Sequence, residues 1–171
     1  PVLVIENTEL ADQYRAGEYE PLSTEQAITY CAFLKDWFER HNIEVIRTGL
    51  QSTEELDSGN SLVAGPYEPA MGELVVNEQY KQRIERCINE HIESFINKEL
   101  SQWNIWGQAN TFIALNIGVF YPRSLTSKVR GLKNRNMLYF QEKYPHVNIN
   151  WYEDSTRNTV RCCIDGLQYV L

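Results

Sequence analysis

Cysteine is sparse and poorly placed for metal or redox chemistry in this chain of 171 residues, with four at positions 31, 87, 162 and 163. Their spacings of 56, 75 and 1 fit neither a zinc-ligand pair nor a CxxC redox motif. Adjacent Cys162 and Cys163 would point to opposite faces of a strand, so the four read as small buried hydrophobes. Long apolar runs are missing too. Residues 2–5 and 112–115 are among the longest, far short of the ~20 that span a bilayer, and no basic-then-apolar leader opens the chain. The expectation is a soluble, cytoplasmic protein with no membrane partner. Repeats and low-complexity tracts are absent, which excludes collagen-like and disordered classes. With 43% hydrophobic and 23% charged residues, the chain can bury a core without staples. At about 150 residues per domain, it is one large domain or two small ones. It opens at Pro1 directly onto an apolar, strand-like run, which reads as a piece of something longer.

The net charge of -7 conceals a split. Residues 1–100 hold 8 Lys and Arg against 19 Asp and Glu, net -11, and residues 101–171 hold 8 against 4, net +4. Arg123, Lys128, Arg130, Lys133, Arg135 and Lys143 gather within 21 positions beside Glu142 alone. A basic module beside an acidic one points to an anionic partner for one half; a solvated helical face gives the same count.

Residues 2–5 read as a buried strand. Ser23-Thr24-Glu25-Gln26 is a capping box, opening a helix over 24–40 whose core stripe is Ala27, Cys31, Leu34 and Phe38. A second strand follows at 43–46. The expectation is a βαβ unit with parallel strands and a right-handed crossover, its ligand sites beyond the strand ends at 6–9 and 47–51. The turn residues of 52–75 predict a long ordered loop. A stripe from Tyr80 through Ile84, Cys87, Ile88 and Ile92 predicts a helix over 78–100. His91 stands one turn after Cys87, but two ligands make no metal site. Trp103 and Trp106 are placed at the junction between the halves, with base stacking as the other reading. The tail reads strand 111–120, helix 124–130, the turn Gly131-Leu132-Lys133-Asn134, helix 135–144, strand 147–153 and strand 159–165. Alternation puts Val147, Ile149 and Trp151 on one face, with Asn148, Asn150 and Tyr152 on the other.

Two resemblances follow from these residues. In order along the chain stand Pro1-Val2-Leu3-Val4-Ile5, Thr8-Glu9-Leu10, Gly17-Glu18-Tyr19, Pro21-Leu22-Ser23, Ile46-Arg47-Thr48-Gly49-Leu50-Gln51 and Ala64-Gly65-Pro66-Tyr67. This series resembles the closing part of the barrel, and the segment after it, in radical S-adenosylmethionine (SAM) proteins related to the Elongator catalytic subunit and to oxygen-independent coproporphyrinogen oxidases. The resemblance implies an iron-sulfur, SAM-dependent oxidoreductase in the full-length protein, with Thr8, Arg47, Gly49 and Gln51 facing the cofactor and substrate cavity. Glu68 occupies the place where that segment would carry a histidine. The family's CxxxCxxC loop, which holds three irons of a [4Fe-4S] cluster, is not in this sequence. The chain is therefore expected to hold no cofactor and no catalytic or metal-binding set itself, and to partner the missing N-terminal part of its own barrel.

The second resemblance is to RNA-binding KH modules. Val129-Arg130-Gly131-Leu132-Lys133-Asn134 is followed by Met137 and Phe140, six and nine residues after the glycine, within a strand-helix-loop-helix-strand order. In KH modules a GxxG loop clamps the backbone of about four nucleotides; here Asn134 replaces the second glycine. The resemblance implies RNA contact through Arg123, Lys128, Arg130, Gly131, Lys133, Arg135 and Lys143. An ordinary αα turn fits the same residues. The expected architecture is α/β then α+β: a terminal βαβ part of a barrel over 1–75, a linking helix over 76–106 and a KH-like module over 107–171. A non-catalytic RNA-binding or protein-interaction adaptor is the alternative.

Overall fold

The first apolar run becomes a strand only at its end. In the computed structural model, β1 is Val4–Ile5, and α1 (Glu9–Ala16) follows at once, an element the sequence reading left out. Its signals are nonetheless local: the Thr8 hydroxyl accepts from the Ala11 amide at 3.3 Å, and Gly17 closes the helix in the left-handed conformation at φ 76°. Helix α2 (Thr24–Arg40) starts at its capping box, with both reciprocal hydrogen bonds formed. A single turn, α3 (Glu54–Asp57), and strand β2 (Leu62–Ala64) break up the stretch expected as loop. Helix α4 runs Met71–Trp103, seven residues earlier than its apolar stripe announced. The structure describes residues 1–103, 116–164 and 167–171. The expected strand residues 111–115, Trp106 and Asp165 lie outside them. Among the described residues, no helix is long and apolar enough to cross a membrane.

The expected parallel pair is not formed. Strand β1 pairs antiparallel with β2, Val4 opposite Ala64, and residues 43–46 are irregular. The Ile43 amide is held at 2.9 Å by the carbonyl of Phe38, at the end of α2, and Ile46 is 92% exposed. A β-branched run makes a strand only where a neighbour accepts its ladder, and the two-residue β1 is already paired with β2. The βαβ unit with its right-handed crossover is thus replaced by helices and a two-stranded ribbon. The stripe of α2 is displaced as well. Its buried side chains are Ala27, Ala32 and Asp36, while Leu34 joins Tyr30, Phe33 and Trp37 on an exposed face. Ala32 packs with Met71 and Val75 of α4, and such small residues permit close helix approach.

The chain divides into two compact units, Pro1–Gln79 and Tyr80–Leu171. In the second, β3 (Asn116–Tyr121) leads through a 3-10 turn (Arg123–Leu125), α5 (Thr126–Arg130), a second 3-10 turn (Leu132–Asn134) and α6 (Arg135–Lys143) to β4 (Asn148–Glu153). Strands β5 (Arg161–Ile164) and β6 (Leu167–Val170) complete a sheet of order β4-β3-β5-β6. Strands β3 and β4 are parallel, from Asn116 opposite Asn148 to Tyr121 opposite Glu153. Parallel neighbours require a crossover, which the two helices provide. The other pairs are antiparallel, and β6 was not anticipated. One sheet face, carrying Ile117, Val119, Tyr121, Cys162 and Ile164, is buried with Ile84 and Ile88 of α4, Val129 of α5 and Phe140 of α6.

This packing separates two neighbours on α6. Phe140 is fully buried and Leu138 is 59% exposed. Phe140→Ala is expected to lower the urea-unfolding free energy by about 3–5 kcal/mol, and Leu138→Ala to change it by less than about 0.5 kcal/mol. Equal effects would contradict the assigned face.

Candidate functional site

The turn between α5 and α6 concentrates unusual backbone. Gly131 takes φ 75°, ψ 163°, a region open essentially to glycine alone. A methyl group there would lie 2.9 Å from the Asn136 side chain and 3.1 Å from its amide nitrogen. Lys133 and Asn134 are both left-handed, at φ 53° and 62°, a conformation that asparagine tolerates and lysine does not favour. Two hydrogen bonds hold the turn: the Asn134 amide to the Gly131 carbonyl at 3.0 Å, and the Asn136 side-chain amide to the Val129 carbonyl at 3.0 Å. Asn136 is buried and had not been singled out in the sequence. Its position five residues after the glycine, on the face of α6 that carries Phe140, was the available signal.

The six basic residues have different roles. Arg123, Lys128, Lys133 and Arg135 are exposed, Arg123 opening the first 3-10 turn and Arg135 the first residue of α6. Arg130 donates from Nε to the buried Tyr121 hydroxyl at 2.6 Å, with its guanidinium 5.6 Å from that ring's centroid. Lys143 is bound by Glu85 and lies 5.3 Å from the centre of the Tyr139 ring. The turn therefore brings together Gly131, Lys133 and Arg135, while Arg130 and Lys143 anchor it to the core and to α4. Beside α6, a cleft of about 550 Å³ runs along the edge strand β4, lined by Met137, Gln141, Tyr144, Asn148, Asn150 and Trp151 among others.

Glu85 centres the second polar cluster. Its Oε1 accepts from Lys143, from the Tyr139 hydroxyl at 2.7 Å and from the Tyr144 hydroxyl at 3.4 Å. Burial alone would raise its pKa, but the hydrogen bonds from Lys143 and Tyr139 outweigh it and hold the carboxyl below its usual range. The same contact raises Lys143. Burial is the main cause of the upward shifts of Tyr139 and Tyr144. Deeper in this core, the Cys87 and Cys162 thiols are hydrogen-bonded: Cys162 is pushed up by that contact and by burial, and Cys87 is lowered by it.

In the first unit, the four residues implied for the SAM cavity serve local structure. Thr8 caps α1 and donates to the Ile5 carbonyl at 2.6 Å. Arg47 donates to Gln51 at 3.4 Å. Gly49, at φ 83°, lies against Met71, where a Cβ would come within 2.9 Å of the Met71 side chain. Gly49 and Glu68 border one crevice, of about 10 Å³, room for at most about one water molecule. Glu68 precedes α4, its carbonyl accepting from the Met71 amide at 3.0 Å. Nearby, hydrogen bonds from Ser52 and Tyr67 lower the Asp57 carboxyl.

Residues 1–82 match the model of the Radical_SAM C-terminal domain, a match that supports a radical SAM superfamily C-terminal region in this stretch. No curated protein and no solved structure matches the chain. The cysteines here do not fit that superfamily's cluster, which needs three thiolates from one loop. Cys87 and Cys162 are buried in the core of the second unit and Cys31 lies on α2 of the first.

The Glu85 cluster sets a pH dependence. Because its folded pKa is depressed, its contribution is complete above the unfolded value of about 4.3 and is lost as pH falls through the folded one. Glu85→Gln is expected to lower the unfolding free energy at pH 7 by on the order of 1–2 kcal/mol. That gap to wild type should narrow below about pH 4. A gap constant from pH 7 to pH 3 in urea titrations would contradict this ion-pair role.

Proposed function

We propose that the chain is the C-terminal part of a radical SAM protein of the Elongator-like or coproporphyrinogen-oxidase-like group, with its second unit recognising RNA through a KH-like module. The match of residues 1–82 carries the first half of this reading. On this reading the cluster's cysteine ligands lie outside this sequence, Thr8, Arg47, Gly49 and Gln51 face the SAM and substrate cavity of the complete barrel, and this chain contributes no catalytic residue.

The backbone of the turn carries the second half. Phosphates approach main-chain amides where side-chain bulk is least and positive charge is close. Gly131, itself buried against Asn136, permits the turn, and the exposed Lys133 and Arg135 beside it supply the charge. Arg123 and Lys128 widen the basic surface. The parallel β3–β4 pair with two helices between gives the strand-helix-turn-helix-strand order this reading needs. Met137, one of the two spaced apolar residues, borders the cleft along β4, and Phe140, the other, is buried in the core. Asn134 occupies the left-handed position as an asparagine can, in place of the second glycine.

Charge reversal tests the contact. Lys133→Asp with Arg135→Asp should weaken binding of single-stranded RNA at low salt by about tenfold or more, and flatten the salt dependence by roughly 0.7 per phosphate lost. Arg15→Asp with Arg47→Asp, which makes the same change of charge in the first unit, should have little effect. Fluorescence anisotropy with a labelled oligouridine measures both. Equal losses from the two pairs, or no salt-sensitive binding by wild type, would overturn the reading.

A further inference from the structure

The outer face of the four-stranded sheet carries a second arrangement. Cross-strand register places Tyr152, Phe120 and Arg161 in one row across β4, β3 and β5, on the face opposite the buried core. Phe120 and Tyr152 are stacked, with centroids 4.9 Å apart and planes at 21°. Both lean over Gly118, where a Cβ would lie 2.7 Å from the Phe120 ring and 3.5 Å from the Tyr152 ring. The Arg157 guanidinium stands 5.9 Å from the Phe120 centroid and is ion-paired with Asp154 at 2.5 Å. Tyr152 lies on the edge strand β4, one ring face against Phe120, and is still 47% exposed. In the same row, Arg161 donates to Gln168 at 3.3 Å, and its Nε is shut off from solvent with no hydrogen-bond partner among the described residues.

Aromatic cover of a strand glycine explains why two rings meet over Gly118. It does not explain an edge tyrosine left open to water, which a ligand with a flat π-face accounts for. Charge selects it further: residues 80–171 hold 12 Lys and Arg against 8 Asp and Glu, net +4, whereas residues 1–79 hold 4 against 15, net -11.

We propose that Tyr152, backed by Phe120, is a stacking site for a base of single-stranded RNA, with Arg161 supplying charge to its backbone. The proposal rests on the RNA reading above and adds a second contact to it: the turn takes phosphate and the sheet edge takes a base. Stacking of this kind is sequence-tolerant, because every base offers a π-face, and it is insensitive to salt where the turn contact is not.

The test uses the full 171-residue chain and a fluorescein-labelled oligouridine. Tyr152→Ala should weaken binding by at least about fivefold with an unchanged salt slope, and Tyr152→Phe should stay within about twofold of wild type. Wild-type-like binding by Tyr152→Ala, alongside a loss in the Lys133→Asp and Arg135→Asp pair, overturns the stacking site and leaves the RNA reading standing. Loss in Tyr152→Ala with no loss in that pair supports the stack and removes the turn. Absence of binding by wild type overturns both. Because loss of the ring can also loosen β4, photo-crosslinking of unmodified protein to a 4-thiouridine oligonucleotide gives an independent result. Crosslinks at Tyr152 or Phe120 support the proposal, and crosslinks confined to other residues overturn it.

Discussion

One stripe of side chains on α4 decides what the second unit can offer a partner. Ile84, Cys87 and Ile88 recur at helical spacing and cover the inner face of the sheet, together with Val129 and Phe140. A sheet covered on one side must alternate, so every second residue of β3, β4 and β5 is left for another use. The outward set is the one with chemistry: Phe120, Tyr152, Arg161 and the asparagines of β4. The same packing holds α5 and α6 firmly enough to keep three unusual backbone conformations in the turn between them. Earlier in the same helix, Met71 and Val75 belong to the first unit's core.

Periodicity made the second unit largely legible. Ile117, Val119 and Tyr121, like Ile149 and Trp151, turn inward as alternation requires, and Cys162 is buried while Cys163 is only partly so. The first unit was misread where the deciding residues were small or polar. Ala27, Ala32 and Asp36 form the buried side of α2, and Asp36 is tolerated there through its bond to Arg40 at 2.5 Å. A rule that sends the largest apolar residues inward picks Leu34 instead. Residues 43–46 have the composition of a strand without a partner, and pairing is a property of the fold that no local window contains. Helix α1 was missed although Thr8 and Gly17 bracket it, because its eight residues hold few apolar side chains.

The site was legible in part for the same reason. Gly131 and the basic residues around it stood out by type, and the turn brings Lys133 and Arg135 beside the glycine. Arg130 and Lys143 looked equivalent by charge alone, yet their partners, Tyr121 and Glu85, are 9 and 58 positions away. Asn136, the residue that locks the turn, is an unremarkable asparagine until the Val129 carbonyl is beside it. The Phe120–Tyr152 stack depends on a register between strands 32 residues apart, which becomes readable only once β3 and β4 are paired.

Amide hydrogen exchange with and without a short oligouridine tests the central claim, that the second unit is the RNA-binding part of the chain, most directly. Bound RNA should slow exchange at residues 131–136 and 150–153 and leave residues 1–79 unchanged, since ligand contact raises the local cost of opening. Protection confined to residues 1–79, or none anywhere at saturating oligonucleotide, would contradict it.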